Sequence, residues 1–193
     1  MRPLRTQLTL LLVLGLSGCF GGKAPPTLLT LTPLAGPSAQ PNRTAGAGQT
    51  VTIDAPVASK EIRVLRVPVL EAPGTVTYIK GLQYIDTPDR LFRLLLTETV
   101  KRTTDRVVLD PSQAALDPGL HVTGTLERFG YDAPSRTVIV TYDAALSTSG
   151  GSRVETRRFT ASAPSDGTPA SVGQGLNQAA NEVAAAAAKW IGG

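Results

Sequence analysis

The sequence predicts a single α+β domain: a mixed, largely antiparallel β-sheet with two helices packed on one face. Three observations carry this. Short β-rich runs bounded by Gly, Pro and small polar residues fill most of the chain after residue 50. Two stretches open with Thr-Pro, at Thr87-Pro88 and Thr168-Pro169, and continue at helical spacing. The order is strands, helix, strands, helix, and a 193-residue chain has room for one real core.

Residues 1–18 read as a leader. Arg2 and Arg5 give a basic start, and "LTLLLVLGL" (Leu8 to Leu16) is an apolar run far short of the roughly 20 residues a membrane-spanning helix needs. Small residues follow in Leu16-Ser17-Gly18-Cys19, which resembles a lipobox, the bacterial lipoprotein cleavage site. That resemblance implies cleavage between Gly18 and Cys19, a diacylglycerol on the Cys19 sulfur and acylation of its new amine. The alternatives are an ordinary signal peptide that carries a cysteine, or a free buried thiol. Cys19 is the only cysteine, so no disulfide is expected. Loss of Arg2 and Arg5 lowers the formal net charge from +4 to +2. The remaining charges are scattered and aromatic residues make up 5%, a composition that disfavours a nucleic-acid platform.

Residues 19–50 divide into a tether, "FGGKAPP", a short strand in "TLLTLTPL" (27–34) and a loop, "AGPSAQPNRTAGAGQT". The domain proper is expected over 51–193. In "KEIRVLRVPVLEAP", Ile62, Val64 and Val67 or Val69 alternate with Arg63 and Arg66, and Pro68 points to a sheet edge or a bulge. "GTVTYIKGLQYID" (74–86) reads as extended, with a break near Lys80-Gly81. The first helix, from Thr87 to about Thr103, turns Leu91, Leu94, Leu95 and Val100 inward and Arg93, Thr97 and Lys101 to water. "RVVLD" is a short strand closed by Pro111. "GLHVTGTLERFGYD", "RTVIVTYDAAL" and "SRVETRRFTAS" form a three-stranded antiparallel meander, with Val138, Val140 and Tyr142 on one face. In the last helix Val172, Leu176, Ala180, Val183, Ala187 and Trp190 make a continuous stripe, with Asn177, Asn181 and Lys189 off it.

The chemistry-bearing residues are sparse. One histidine, His121, has no second His or acidic cluster at ligand spacing, so no metal or cofactor is expected. "STSGGS" lacks the order of a nucleophile elbow, and "AGAG" precedes no Lys and helix as a phosphate cradle would. An enzyme is not expected.

The succession of lipobox, "TLLTLTPL", "EIRVLRVPVLEAPGTVTYIKGLQYIDTPDRLFRLLLTETVKRT", "LHVTGTLERFGYDAPSRTVIVTYDAALST", "VETRRFTASAP" and an Ala-rich terminal helix resembles the ABC-type transport auxiliary lipoprotein family, the PqiC-like proteins. Before the first helix, where family members carry a Trp-containing segment, this chain has "QYIDTPD". The resemblance implies a non-enzymatic lipoprotein that docks the periplasmic MCE-domain protein of an ABC lipid transporter, itself joined to a permease and an ATPase, and that can assemble as a homo-oligomeric ring. Phe20 in place of Asp after the lipidated residue implies the periplasmic face of the outer membrane. Arg66 and Tyr78, near the edge expected at Arg66–Leu70 and on the strand Thr75–Ile79, are the expected partner contacts. The second reading is a monomeric lipid-binding carrier, in which the alanines of the last helix would leave an apolar cavity.

Overall fold

The computed structural model describes residues 27–36, 42–117, 119–148 and 153–193. Gly18, Cys19 and the whole leader lie outside the described residues. Nine strands and two helices follow in the order β1 (Thr27–Leu29), β2 (Thr50–Ile53), β3 (Val57–Ala58), β4 (Arg66–Ala72), β5 (Thr75–Tyr84), α1 (Pro88–Thr103), β6 (Val107–Leu109), β7 (Leu120–Asp132), β8 (Thr137–Ser147), β9 (Val154–Pro164) and α2 (Pro169–Gly192). A 3-10 turn at Pro111–Leu116 joins β6 to β7, and its Asp110 cap accepts from the Ser112 amide.

β7 organises the sheet. One of its edges runs antiparallel to β8 along its whole length, from His121 opposite Ser147 to Asp132 opposite Thr137, and β9 continues the meander as expected. Its other edge meets three short strands in succession, all parallel: β2 at Leu120–Val122, β3 at Thr125–Leu126 and β4 at Tyr131–Asp132. β5 lies antiparallel to β4, β1 parallel to β5, and β6 parallel to β2. Both helices cover one face of this mixed sheet, α2 against β8 and β9 and α1 against α2.

α2 keeps its predicted stripe: Val172, Leu176, Ala180, Val183 and Ala187 are buried. Trp190 is half-buried, its ring 5.7 Å from that of Phe159. Thr168 caps the helix in earnest, its side chain accepting from the Ser171 amide at 3.3 Å. At α1 the Thr87 side chain makes no such bond; its carbonyl accepts from Arg90 and Leu91 instead. The inward face of α1 also differs from expectation. Leu94 is 53% exposed, and Phe92, Leu96 and Thr99 join Leu91, Leu95 and Val100 in the core. In "LFRLLL" apolar residues lie on every side of the first turns, so local spacing leaves the rotation to the packing partners.

Two further corrections concern the chain around β1 and β4. The strand expected over 27–34 ends at Leu29. The following residues are held by asparagines of α2: the Thr32 amide donates to Asn177 Oδ1 and the Leu34 amide to Asn181 Oδ1, both at 2.8 Å, while Asn181 Nδ2 donates to the Thr32 carbonyl at 2.9 Å. A side-chain amide here takes the part of a neighbouring strand. Asn181→Ala should cost about 0.5–1.5 kcal/mol through the loss of hydrogen bonds to part-buried backbone groups. It should also speed hydrogen exchange at the Leu34 amide while leaving Thr32, which Asn177 holds, less affected. Residues 60–65 form turns rather than strand, and β4 starts at Arg66.

Candidate docking face

Neither helix packs on the other face of the sheet, where Ile62 from the turns before β4 is buried beside Pro68, and the side chains of that face follow from strand alternation. Val138, Val140, Tyr142 and Ala144 of β8 point to the core, so Ile139, Thr141 and Asp143 stand on the open face. Over β8 and β9 that face is polar and internally paired. Arg158 binds Asp143 through two nitrogens at 2.6 and 2.5 Å, and Thr160 donates to Thr141 at 3.2 Å. The guanidinium holds the Asp143 carboxyl below the usual range, and the carboxylate in turn raises Arg158. At the end of β7, Asp132 accepts from the amide and hydroxyl of Ser135 and from Arg128, and these bonds hold it ionised below the ordinary carboxylate range. Groups satisfied in this way close a turn and staple strands; they leave little for a ligand.

The character changes over β4 and β5. Pro68 sits opposite Tyr78, with a bulge between Arg66 and Pro68. Gly81, at φ 78°, interrupts β5 at the predicted break. Beyond it Leu82 and Tyr84 are buried in the core, whereas Val76 and Tyr78, paired with Leu70 and Pro68, face outward. Arg66 stacks on Tyr78, its guanidinium carbon 3.9 Å from the ring centroid, a cation–π contact. The structure places in contact with each other the two residues named from the sequence as expected partner contacts.

β4 is not the edge it was expected to be. It is paired on one side by β5 and on the other by β7, so Pro68 is accommodated by the bulge alone. The open edge belongs to β5, which β1 covers only at Leu82–Tyr84, leaving Thr75–Lys80 without a neighbour on that side among the described residues. Next to this edge lies an open cleft of about 240 Å³, lined by Ile62, Pro68, Leu70, Val76 and Ile139 with Glu127 and Arg128 at its rim. Ile139 and Arg128, which line this cleft with Pro68 and Val76, are not singled out from the sequence. The pairing of β4 with β7 brings them there, and no local signal announces it.

His121, on β7, meets Asp54 at 2.9 Å between Nε2 and Oδ2 at the surface. Among the described residues no three His, Cys, Asp or Glu side chains group as a metal ion would require.

A one-sided sheet with an apolar, Arg-flanked patch on its bare face is the build of a domain that presents a surface. Residues 29–188 match the family model described as "ABC-type transport auxiliary lipoprotein component", and the chain belongs to that family. In fold it is similar to the crystal structure of a DUF330-family protein from Xanthomonas campestris, 18% identical over 86% of this chain and 94% of that one, with a TM-score of 0.71. It is also similar to the crystal structure of an uncharacterized protein, 12% identical over 86% of this chain and 99% of that one, at a TM-score of 0.68. A dodecameric PelC variant from Paraburkholderia phytofirmans, 13% identical over 75% of this chain and 91% of that one, superposes with a TM-score of 0.44. No curated protein matches in sequence.

Proposed function

We propose that this auxiliary lipoprotein is anchored through lipidated Cys19 to the periplasmic face of the outer membrane and docks the MCE-domain protein of an ABC lipid transporter. The transporter's ATPase supplies the work; this chain supplies position and a binding face. The observation that carries the docking part is the Arg66–Tyr78 stack beside the apolar cleft, on the side of the sheet that the helices leave bare. Interfaces concentrate their energy in aromatic and Arg side chains set in such apolar surroundings. A ring of copies around the partner belongs to the same proposal, and β9 supports it with an edge that, among the described residues, is paired by β8 alone.

The carrier reading is less well supported. It needs a cavity where the small side chains of α2 face the sheet, and there the packing is tight: a Cβ on Gly175 would fall 3.0 Å from Val138 Cγ2. Ala179, Ala180, Ala184 and Ala187 are fully buried in the same interface. Close-packed alanines leave the helix nearer the sheet, not a lipid-sized void.

The test is capture from envelope extracts with the mature protein tagged at Gly193. Recovery of an MCE-domain protein with its permease and ATPase is the expected result. Arg66→Ala with Tyr78→Ala should reduce that recovery at least about tenfold, the loss of one central contact pair, with the melting temperature almost unchanged because both side chains lie on the surface. Undiminished capture by the double variant would remove the face from the proposal.

A further inference from the structure

One corner of the domain carries an amphipathic surface that continues past Arg66, since Leu28 and Arg66 flank Gln83 on the same side of the sheet. Leu28 on β1 is 60% exposed, Ile85 just after β5 is 59% exposed, and Leu65 just before β4 is 46% exposed. The backbone brings all three together. Leu28 lies opposite Gln83, the Ile85 amide donates to the Leu29 carbonyl at 2.9 Å, and the Tyr84 amide donates to the Leu65 carbonyl at 2.7 Å. Arg63, two residues before Leu65, and Lys80, five residues before Ile85, are exposed and enter no ion pair among those of the described residues. The nearby acids are Glu61, bonded to Ser59, and Asp86, which pairs with Arg90 at 3.5 Å.

We infer that the Leu28–Leu65–Ile85 corner rests in the headgroup region of the membrane that the lipid anchor enters. The inference depends on the lipidation of Cys19 proposed above. The occupant follows from the length of chain between anchor and fold. Cys19 precedes Thr27, the first residue of β1, by eight residues, which reach at most about 28 Å when fully extended. The domain is thereby confined to the bilayer surface, and the corner where the chain enters it is the part held nearest. Aliphatic side chains flanked by cations are what an anionic lipid interface favours. Such a contact would fix the orientation of the domain, which would otherwise swing on its tether.

The test uses the full mature lipoprotein, reconstituted in vesicles of phosphatidylethanolamine and phosphatidylglycerol. Acylation consumes the Cys19 sulfur, so Leu28→Cys, Ile85→Cys and, on the far edge of the sheet, Val154→Cys each provide one free thiol for an environment-sensitive fluorophore. Flotation with the vesicles reports the anchor, and quenching by lipids labelled near the headgroup reports the corner. The expected result is flotation of all three, with a blue shift and loss of most emission at positions 28 and 85 and neither at 154. Flotation with no more quenching at 28 and 85 than at 154 overturns the inference and leaves the anchor standing. Failure to float overturns both. A blue shift at 28 and 85 already present without vesicles assigns the corner to a second copy of the chain and overturns it too.

Discussion

Replacing Cys19 by serine should abolish incorporation of labelled fatty acid, remove the chain from the outer-membrane fraction and eliminate its activity in cells, while leaving the folded domain intact. The separation of these effects follows from where Cys19 lies. It precedes β1 by eight residues, and the core described for α1, α2 and the sheet is built from residues that follow it. One acyl chain of about fourteen carbons gives only marginal, reversible membrane binding, and a second converts it to a stable anchor. A diacylglycerol on the sulfur therefore supplies enough affinity alone, and its loss removes all of it. No helix among the described residues is long and apolar enough to cross a membrane, so none of them offers a helical span in its place. Because serine also blocks processing at the lipobox, the clean comparison places Cys19→Ser behind an ordinary cleavable leader. That protein should melt like the lipidated one, recover the MCE-domain partner from extracts and still fail to restore growth of a strain lacking the native chain. Retention of activity by the unanchored form would show that position at the membrane is dispensable.

Much of the fold is legible in the sequence, and the exceptions share a cause. The stripe of α2 reads correctly because its apolar residues fall on one side over six turns, which leaves a single orientation for the helix. The β7–β9 meander reads correctly because its partners are neighbours in sequence and its turns are marked by "DAPS" and "STSGGS". What fails to read is long-range. Nothing near β7 announces that its second edge is divided among β2, β3 and β4. Nothing in "RVPVLEA" tells a bulged interior strand from an edge, since Pro68 fits both. The stack of Arg66 on Tyr78 requires the Pro68–Tyr78 register and the reversal at Gly81 together, and the asparagine clamp on Thr32 and Leu34 spans about three-quarters of the chain. The anchor stands at the opposite extreme. Cys19 lies outside the described residues, and its proposed lipidation is legible only as a linear sequence motif.

The largest loss of stability is expected at Phe92, and comparing it with Leu94 tests how α1 is rotated. The Phe92 ring is fully buried, its centroid 5.0 Å from that of Tyr142 with the planes inclined at 58°. Tyr142 is in turn fixed by its hydroxyl, which donates to the Thr123 carbonyl at 3.1 Å, and burial raises its pKa far above the ordinary phenol range. Phe92→Ala would empty the space between α1 and β8, and Tyr142 cannot turn to fill it without breaking that bond. The expected cost is about 3–5 kcal/mol, part of it the roughly 0.5–1.5 kcal/mol of the aromatic pair. For a domain of this size each kcal/mol lowers the melting temperature by about 2–4 °C, so a fall of about 6–20 °C is expected. Phe92→Leu keeps most of the volume and should cost less than half as much. Leu94→Ala, at a position the local pattern turns inward and the fold turns outward, should stay within about 0.5 kcal/mol of the parent protein. Urea denaturation of the three variants, with unchanged slopes, gives the differences directly. Equal losses at Phe92 and Leu94 would mean that α1 is turned by roughly a quarter of a revolution from its place here, since the two positions lie about 200° apart around the helix.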